Sequence, residues 1–393
     1  MEPKIRFKGF EEEWKAPLFS EMVERISASG QAGMLPGVEF EDIASGEGCF
    51  NKNIYQKECH KYGKLFYEGD ILFGKLRPYL KNIILADFNG VAIGDFWVLR
   101  SKGFDEKYLY TLVNSESFLK VANISSGSKM PRADWNLVST TKFVVPSAKD
   151  EQKAIGKYFT SLDSQISAAT SRLASLKQMK AASLQAMFPQ EGETVPKIRF
   201  KGFEGEWTWL KLGDISEQVK RKAPINSTAP VMMISALNGF INQSEKYSDN
   251  NAGSSLANYT LLKKGELSYN HGYSKTRNFG SCFNLLVEEA RIPFVYHSFR
   301  LTNDNDSFYA YYLNSGTKDK DLKRLVSSTA RMDGLLNISF KNYMELSVPH
   351  PSLAEQQAIA NYFTSLDRQI SLQSQRLEKL KQIKSACLDK MFV

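Results

Sequence analysis

The sequence predicts an α+β protein of two pseudo-symmetric halves, each a globular α+β domain followed by a long helix, with the two helices paired as an antiparallel coiled coil. Three observations carry this. Pro3 to Trp14 (PKIRFKGFEEEW) returns as Pro196 to Trp207 (PKIRFKGFEGEW), identical at 11 of 12 positions. Glu151 to Ile166 (EQKAIGKYFTSLDSQI) returns as Glu355 to Ile370 (EQQAIANYFTSLDRQI), identical at 12 of 16. Each of the latter segments opens a stretch whose apolar residues fall on alternating three- and four-residue steps, a heptad seam. Duplication on this scale implies duplicated architecture. The first pair is offset by 193 residues and the second by 204, so the second interior is 11 residues longer. A constant frame around variable content is what a reader of two different targets would look like.

In chain order, residues 1–149 form the first domain, opened by the PKIRFKGF frame. Ile5, Phe7 and Phe10 alternate with cations before Trp14, which predicts an extended edge piece with its aromatic side on a core. The runs KLFYEGDILFG, KNIILADF and GVAIGDFWVLR read as strands punctuated by Gly, Asn and Asp. EKYLYTLVNSESFLKVAN reads as helical. Residues 150–188 form the first long helix, with Ile155, Phe159, Leu162, Ile166, Ala169, Leu173 and Leu176 on its seam and no Gly or Pro between Gly156 and Pro189. About 38 residues at ~1.5 Å each make a rod of roughly 57 Å. Residues 189–195 are a linker. Residues 196–353 repeat the plan with GELSYN, IPFVYHSFRL and YMELSV as strands and SFYAYYLNSGTKDKDLKRLV as helix. Residues 354–393 are the second long helix. A rod of this kind cannot bury its stripe alone, and its repeat is the obvious partner. Pseudo-two-fold pairing makes the helices antiparallel and brings the end of the second helix near the first frame. Lys180 and Lys384 fall at equivalent seam positions, where a charge reaches solvent or fixes register.

Composition narrows the function. At 393 residues, 42 % hydrophobic and 24 % charged, the chain has enough apolar residues for two cores. No apolar leader or bilayer-length run is present, which predicts a cytoplasmic protein. Cys49, Cys59, Cys282 and Cys387 form no C-x-x-C pair, and His60 beside Cys59 has no second ligand cluster, so neither structural zinc nor a disulfide framework is expected. A net charge of +8 favours a polyanion partner. The sequence has no G-x-x-x-x-G-K-[ST] loop, no G-x-S-x-G elbow and no H-E-x-x-H helix. It also lacks the Pro-Pro pair of amino-methyltransferase motifs. Acid-acid-x-Lys fragments such as Asp105-Glu106-Lys107 are scattered singly and read as ordinary charged surface. The chain is expected to do no covalent chemistry itself, to bind no metal and to need no cofactor.

The segments VPSAKDEQKAIGKYFTSLDSQI and VPHPSLAEQQAIANYFTSLDRQI, each preceded by a globular domain and followed by a heptad helix, resemble the specificity subunit of type I restriction-modification enzymes. The duplicated P-x-I-R-F-x-G-F-x-x-x-W opening looks like the start of each half in one branch of that family, so the resemblance covers essentially the whole chain. It implies two target-recognition domains, each reading one half of a split, asymmetric DNA site. It further implies a helix pair that spaces the halves, two methyltransferase (M) subunits docked on the helices, and restriction (R) subunits that complete the enzyme. S-adenosylmethionine, ATP and Mg would then belong to those partners. Half-sites about one turn apart, ~10 bp, would face one side of the duplex.

Within each domain, basic and aromatic residues on loops after strands are the candidates for DNA contact. GKLRPYLKN offers Lys75, Arg77, Tyr79 and Lys81, and the aligned NHGYSKTRN offers His271, Tyr273, Lys275 and Arg277. A second pair of loops offers Ser128, Lys129 and Arg132 in the first half, with Thr329 and Arg331 in the second. Taken singly each cation reads equally as solvated surface; taken as paired loops they read as a DNA interface. For partner contact the helix flanks offer Glu151, Gln152, Tyr158 and Asp163, matched by Glu355, Gln356, Tyr362 and Asp367. Two other readings stand beside this one. One is a DNA-binding adaptor or repressor acting alone, and the other is a coiled-coil scaffold whose interiors bind proteins.

Overall fold

The computed structural model describes residues 3–33, 35–124, 130–224, 226–245, 256, 258–326 and 336–392. Two compact units result, Met1–Ser171 with Gln373–Val393, and Arg172–Leu372. The units therefore do not follow the sequential division at the start of each long helix. Each takes a piece of both helices, Lys149–Ala186 and Leu353–Met391.

In the first unit a four-stranded antiparallel sheet runs in the order Val23–Ile26, Phe96–Ser101, Ile71–Gly74, Ile83–Leu85. Period-2 alternation makes it a middle layer. Ile71, Phe73, Trp97 and Leu99 point into a core shared with the helices Glu106–Val113, Glu116–Ala122 and Trp135–Thr140. Leu72, Ile84, Phe96 and Val98 point the other way, onto Val38, Phe66 and Ala92. Phe66, Ala92 and Val38 belong to a second sheet ordered Ser29–Gln31, Tyr62–Phe66, Gly90–Ala92, Gly37–Val38, whose last pair is parallel.

The second unit repeats the plan without repeating the residues. Its main sheet runs Ser216–Gln218, His297–Leu301, Leu267–Asn270, Ser281–Asn284, again antiparallel throughout. Leu267, Tyr269 and Phe299 enter the core formed with the helices Asp306–Leu313, Asp319–Leu325 and Phe340–Met344. The intervening Ser268 and Ser298 are buried and hydrogen-bond to each other at 3.1 Å.

Both frames dock differently from the extended edge piece that alternation predicts. Gly9 (φ 93°) and Gly202 (φ 98°) turn the chain in the left-handed region, breaking any continuous strand. Ile5 and Ile198 are 44 % and 58 % exposed, so the alternating positions do not share a buried face. Docking instead runs through an arginine and a phenylalanine. Arg6 grips Glu151 at 2.7 and 2.8 Å, and Arg199 grips Glu355 at 2.7 Å through both nitrogens. Phe7 meets Tyr158 edge-on at 5.7 Å, and Phe200 meets Tyr362 at 5.9 Å.

The antiparallel helix pairing is written in repeated side-chain bonds. In the first unit Tyr158 meets Cys387 at 3.5 Å and Asp163 meets Lys384 at 2.5 Å. In the second, Tyr362 meets Ser183 at 2.9 Å and Asp367 meets Lys180 at 2.5 Å. The two lysines on the apolar seam are thus each answered by an aspartate on the facing helix. Met391 and Phe392 finish in the core of the first unit, where Phe392 stacks on Tyr108 at 5.7 Å. The amide of Ile5 donates to Lys390 O at 3.2 Å, which places the end of the second helix beside the first frame. Ile198 donates to Ala186 O at 2.9 Å in the same way. Among the described residues no helix is long and apolar enough to cross a membrane.

Candidate nucleic-acid interface

In the first unit the strand Ile71–Gly74 delivers the loop Lys75–Lys81. Arg77 (φ 50°) and Lys81 (φ 53°) both adopt the left-handed backbone disfavoured for side chains with a Cβ. They bracket a single 3-10 turn, Pro78–Leu80, with Pro78 buried beneath it. The turn is held by Leu80 N to Arg77 O at 2.9 Å, Lys81 N to Pro78 O at 2.9 Å and Gly46 N to Lys81 O at 3.2 Å. Arg77 is exposed, and Tyr79 and Leu80 project at 55 % and 37 % exposure.

The second predicted loop of this unit meets the first. Leu76 bridges Arg132, Arg77 N donates to Pro131 O at 2.8 Å, and Ala133 N donates to Lys75 O at 2.8 Å. Asp95, in the turn before Phe96–Ser101, binds Lys75 Nζ at 3.3 Å and Arg132 Nε at 3.1 Å. The alternation of loops and strands in sequence gave no signal for this carboxylate. Ser128 and Lys129 lie outside the described residues.

The second unit brings fewer of its candidates to the surface. His271 is only 4 % exposed, contrary to its assignment as a DNA contact. Its ring lies between two backbone carbonyls, with Nδ1 2.6 Å from Leu336 O and Nε2 2.9 Å from Val295 O, and stacks on His297 at 4.8 Å. Burial pushes the His297 pKa down, against the bond to Ile338 O and with the help of His271 nearby. Arg277 is also turned inward. Its guanidinium donates to Asn314 O, and burial lowers its pKa, with Asp319 opposing. Both are therefore structural residues of this unit. Tyr273, 63 % exposed, and Lys275 remain on the surface. Phe294, 57 % exposed, stands in the turn that supplies Val295 O. Thr329 and Arg331 lie outside the described residues.

The helix-flank residues expected to meet a partner are occupied internally. Glu151 and Glu355 are 0 % and 1 % exposed beneath their arginines, and Trp207 Nε1 also donates to Glu355 at 3.1 Å. Gln152 and Gln356, equally buried, accept from Asp105 N at 3.0 Å and Asn305 N at 2.9 Å. Asp105 and Asn305 are the N-caps of Glu106–Val113 and Asp306–Leu313. These four side chains thus join frame, helix and cap, and offer no surface to another molecule. Tyr158, Asp163, Tyr362 and Asp367 are half-buried in the interhelical bonds described above, and the Cys387 contact pushes the Tyr158 pKa up to about 12. Copy-identical residues that do face outward are Thr160, Ser161 and Gln165, matched by Thr364, Ser365 and Gln369.

Residues 204–382 match the family model described as the type I restriction modification DNA specificity domain. The type I restriction enzyme EcoDI specificity subunit of Escherichia coli is 25 % identical over 120 residues, 29 % of this chain and 27 % of the relative's own length. The S subunit of the type I restriction-modification system from M. genitalium shares the fold with a TM-score of 0.63 at 15 % identity, over 100 % of this chain and 99 % of that one. The HsdS subunit from Thermoanaerobacter tengcongensis aligns over 98 % of both chains at 18 % identity with a TM-score of 0.45.

Proposed function

We propose that this chain, which carries a type I restriction-modification DNA specificity domain at residues 204–382 and resembles specificity subunits along its length, is the DNA sequence-specificity subunit of such an enzyme. The observation that carries the reading is the contrast within one plan. Both units present a loop after the third strand of an equivalent sheet, yet one loop exposes Arg77, Tyr79 and Leu80 and the other exposes Tyr273 and Lys275. Equivalent platforms with unlike tips fit two unlike half-sites, hence an asymmetric, bipartite target in double-stranded DNA. Cations and aromatic side chains on such tips suit phosphate and base contacts respectively.

The chain itself is assigned sequence choice and assembly. Methylation and ATP-driven cleavage belong, on this reading, to two methyltransferase subunits and to restriction subunits, which would hold S-adenosylmethionine, ATP and Mg. Docking of the methyltransferases falls on the outward residues Thr160, Ser161 and Gln165 and their matches Thr364, Ser365 and Gln369, because one surface shown twice can seat two identical partners. The test is co-expression with a candidate methyltransferase partner and mapping of methylated bases across a plasmid library. A single split, asymmetric motif with a fixed gap is expected. A correctly assembled complex that methylates nothing would favour the stand-alone DNA-binding adaptor.

A further inference from the structure

Resting on the DNA-specificity reading, we propose that Asp95 and Arg132 together read a G·C pair in the major groove of the half-site served by the first unit. Three charges meet here, with Lys75 Nζ 3.3 Å and Arg132 Nε 3.1 Å from the two carboxylate oxygens of Asp95. All three side chains keep a solvent-facing part, at 33 %, 51 % and 30 % exposure for Lys75, Arg132 and Asp95. The group therefore lies at the surface, on the two loops that converge beside the exposed Tyr79.

A carboxylate between two cations is a poor arrangement for phosphate. It cancels one positive charge and repels the anion that the other would hold. It is a good arrangement for a base edge. Asp95 holds Arg132 through Nε, so the ion pair does not use up both prongs of the guanidinium, and a bidentate guanidinium matches the O6 and N7 acceptors of guanine. Each Asp95 oxygen keeps a lone pair beyond its cation, and a carboxylate accepts from the N4 amine of cytosine. Forked donors beside an acceptor complement the major-groove edge of one G·C pair. An A·T pair offers the fork no base with two acceptors.

The backbone fixes this pair in place before DNA arrives. The Leu76–Arg132 bridge and the bonds Arg77 N to Pro131 O and Ala133 N to Lys75 O, both 2.8 Å, tie the two loops together. Preorganised donors lose little freedom on binding. The corresponding turn of the second unit reads Pro293, Phe294, Val295, Tyr296 and contains no carboxylate, so its half-site is read by other means.

The test is selection from a randomised duplex library with the full-length chain, comparing the natural protein with Asp95→Ala and Arg132→Lys. The natural protein is expected to enrich a two-part motif. Each variant is expected to lose about tenfold or more of its discrimination at the same G·C position, with other positions and the second half-site unchanged. Arg132→Lys keeps the ion pair and so guards against a mere folding defect. Uniformly weaker binding with unchanged base preferences would make the cluster a loop tether and overturn the inference. Loss of preference at two different base pairs would overturn it equally. If the natural protein enriches no motif, the specificity reading itself falls, and this inference with it.

Discussion

Arg6 and Glu151, 145 positions apart, close on each other through two charge-assisted bonds of 2.7 and 2.8 Å, and that one contact clamps the first PKIRFKGF frame onto the start of the first long helix. Glu151 is wholly buried. Removing one partner of such a pair leaves the other charge without compensation, which costs about 3–5 kcal/mol. Arg6→Ala and Glu151→Ala are each expected to lower stability by about this amount in chemical denaturation. Arg6→Lys is expected to recover little of it, since an ammonium cannot make the two-pronged contact. A loss under 1 kcal/mol in either alanine variant would show that the frame docks by other means.

Gly156 offers a substitution with an inverted sign. In an open helix interior, Gly→Ala gains about 1 kcal/mol. Here a Cβ would stand 2.7 Å from Tyr108 N and 2.8 Å from Asp105 Oδ1, against backbone and a capping side chain that cannot move aside. Gly156→Ala is expected to destabilise by about 1–3 kcal/mol, the range for overpacking. Thermal unfolding checks it, and an unchanged or raised melting temperature would refute the close approach.

Acid lability is expected from the cluster of Glu39 and Asp42 with Lys52, Lys57 and Lys61. The bond from Lys57, then that from Lys61, holds Glu39 below its usual pKa. For Asp42 burial is the largest influence and opposes ionisation, but bonds from Lys52, Lys57 and the Glu39 amide outweigh it and leave the carboxyl low. Groups that titrate lower when folded stabilise fully above the unfolded carboxyl range, about 4, and lose that contribution as pH falls through their folded values. Melting temperature should therefore drop below about pH 4. Asp42→Asn should reduce the slope of that drop, and an identical slope in the variant would exclude this cluster as its source.

Neighbouring loop cations of the second unit should behave oppositely. Lys275 faces solvent, so Lys275→Ala is expected to leave stability intact and to reduce the salt dependence of DNA binding by about one unit of slope. Arg277 is spent on Asn314 O, so Arg277→Ala should lower the melting temperature of the unit. Equal effects of both on the salt slope would contradict this division.

These cases mark how far sequence reasoning reaches. The long helices, the strand runs and the shared plan of the interiors were legible because periodicity and duplication are local signals. The clamp was not, although both its halves were visible, because identity between copies does not say whether a residue faces a partner or its own chain. Copy identity alone makes Glu151 and Gln152 read as flank residues, and loop position alone makes His271 and Arg277 read as surface groups. A loop position says that a residue lies near the surface and nothing of where its side chain turns. Asp95 carries no sequence signal because its meaning comes from Lys75 and Arg132, which reach it only after folding.

The seating of Met391 and Phe392 against Tyr108 and Phe159 has a consequence for biosynthesis. The first unit draws on residues that leave the ribosome only after the whole second unit has been made. At about 5–20 residues per second, the nascent chain carries an unfilled aromatic seat for roughly 10–45 s after Ser171 is joined. The first unit is therefore started before the second and completed after it, and residues more than 200 positions downstream of Ser171 close the earlier core.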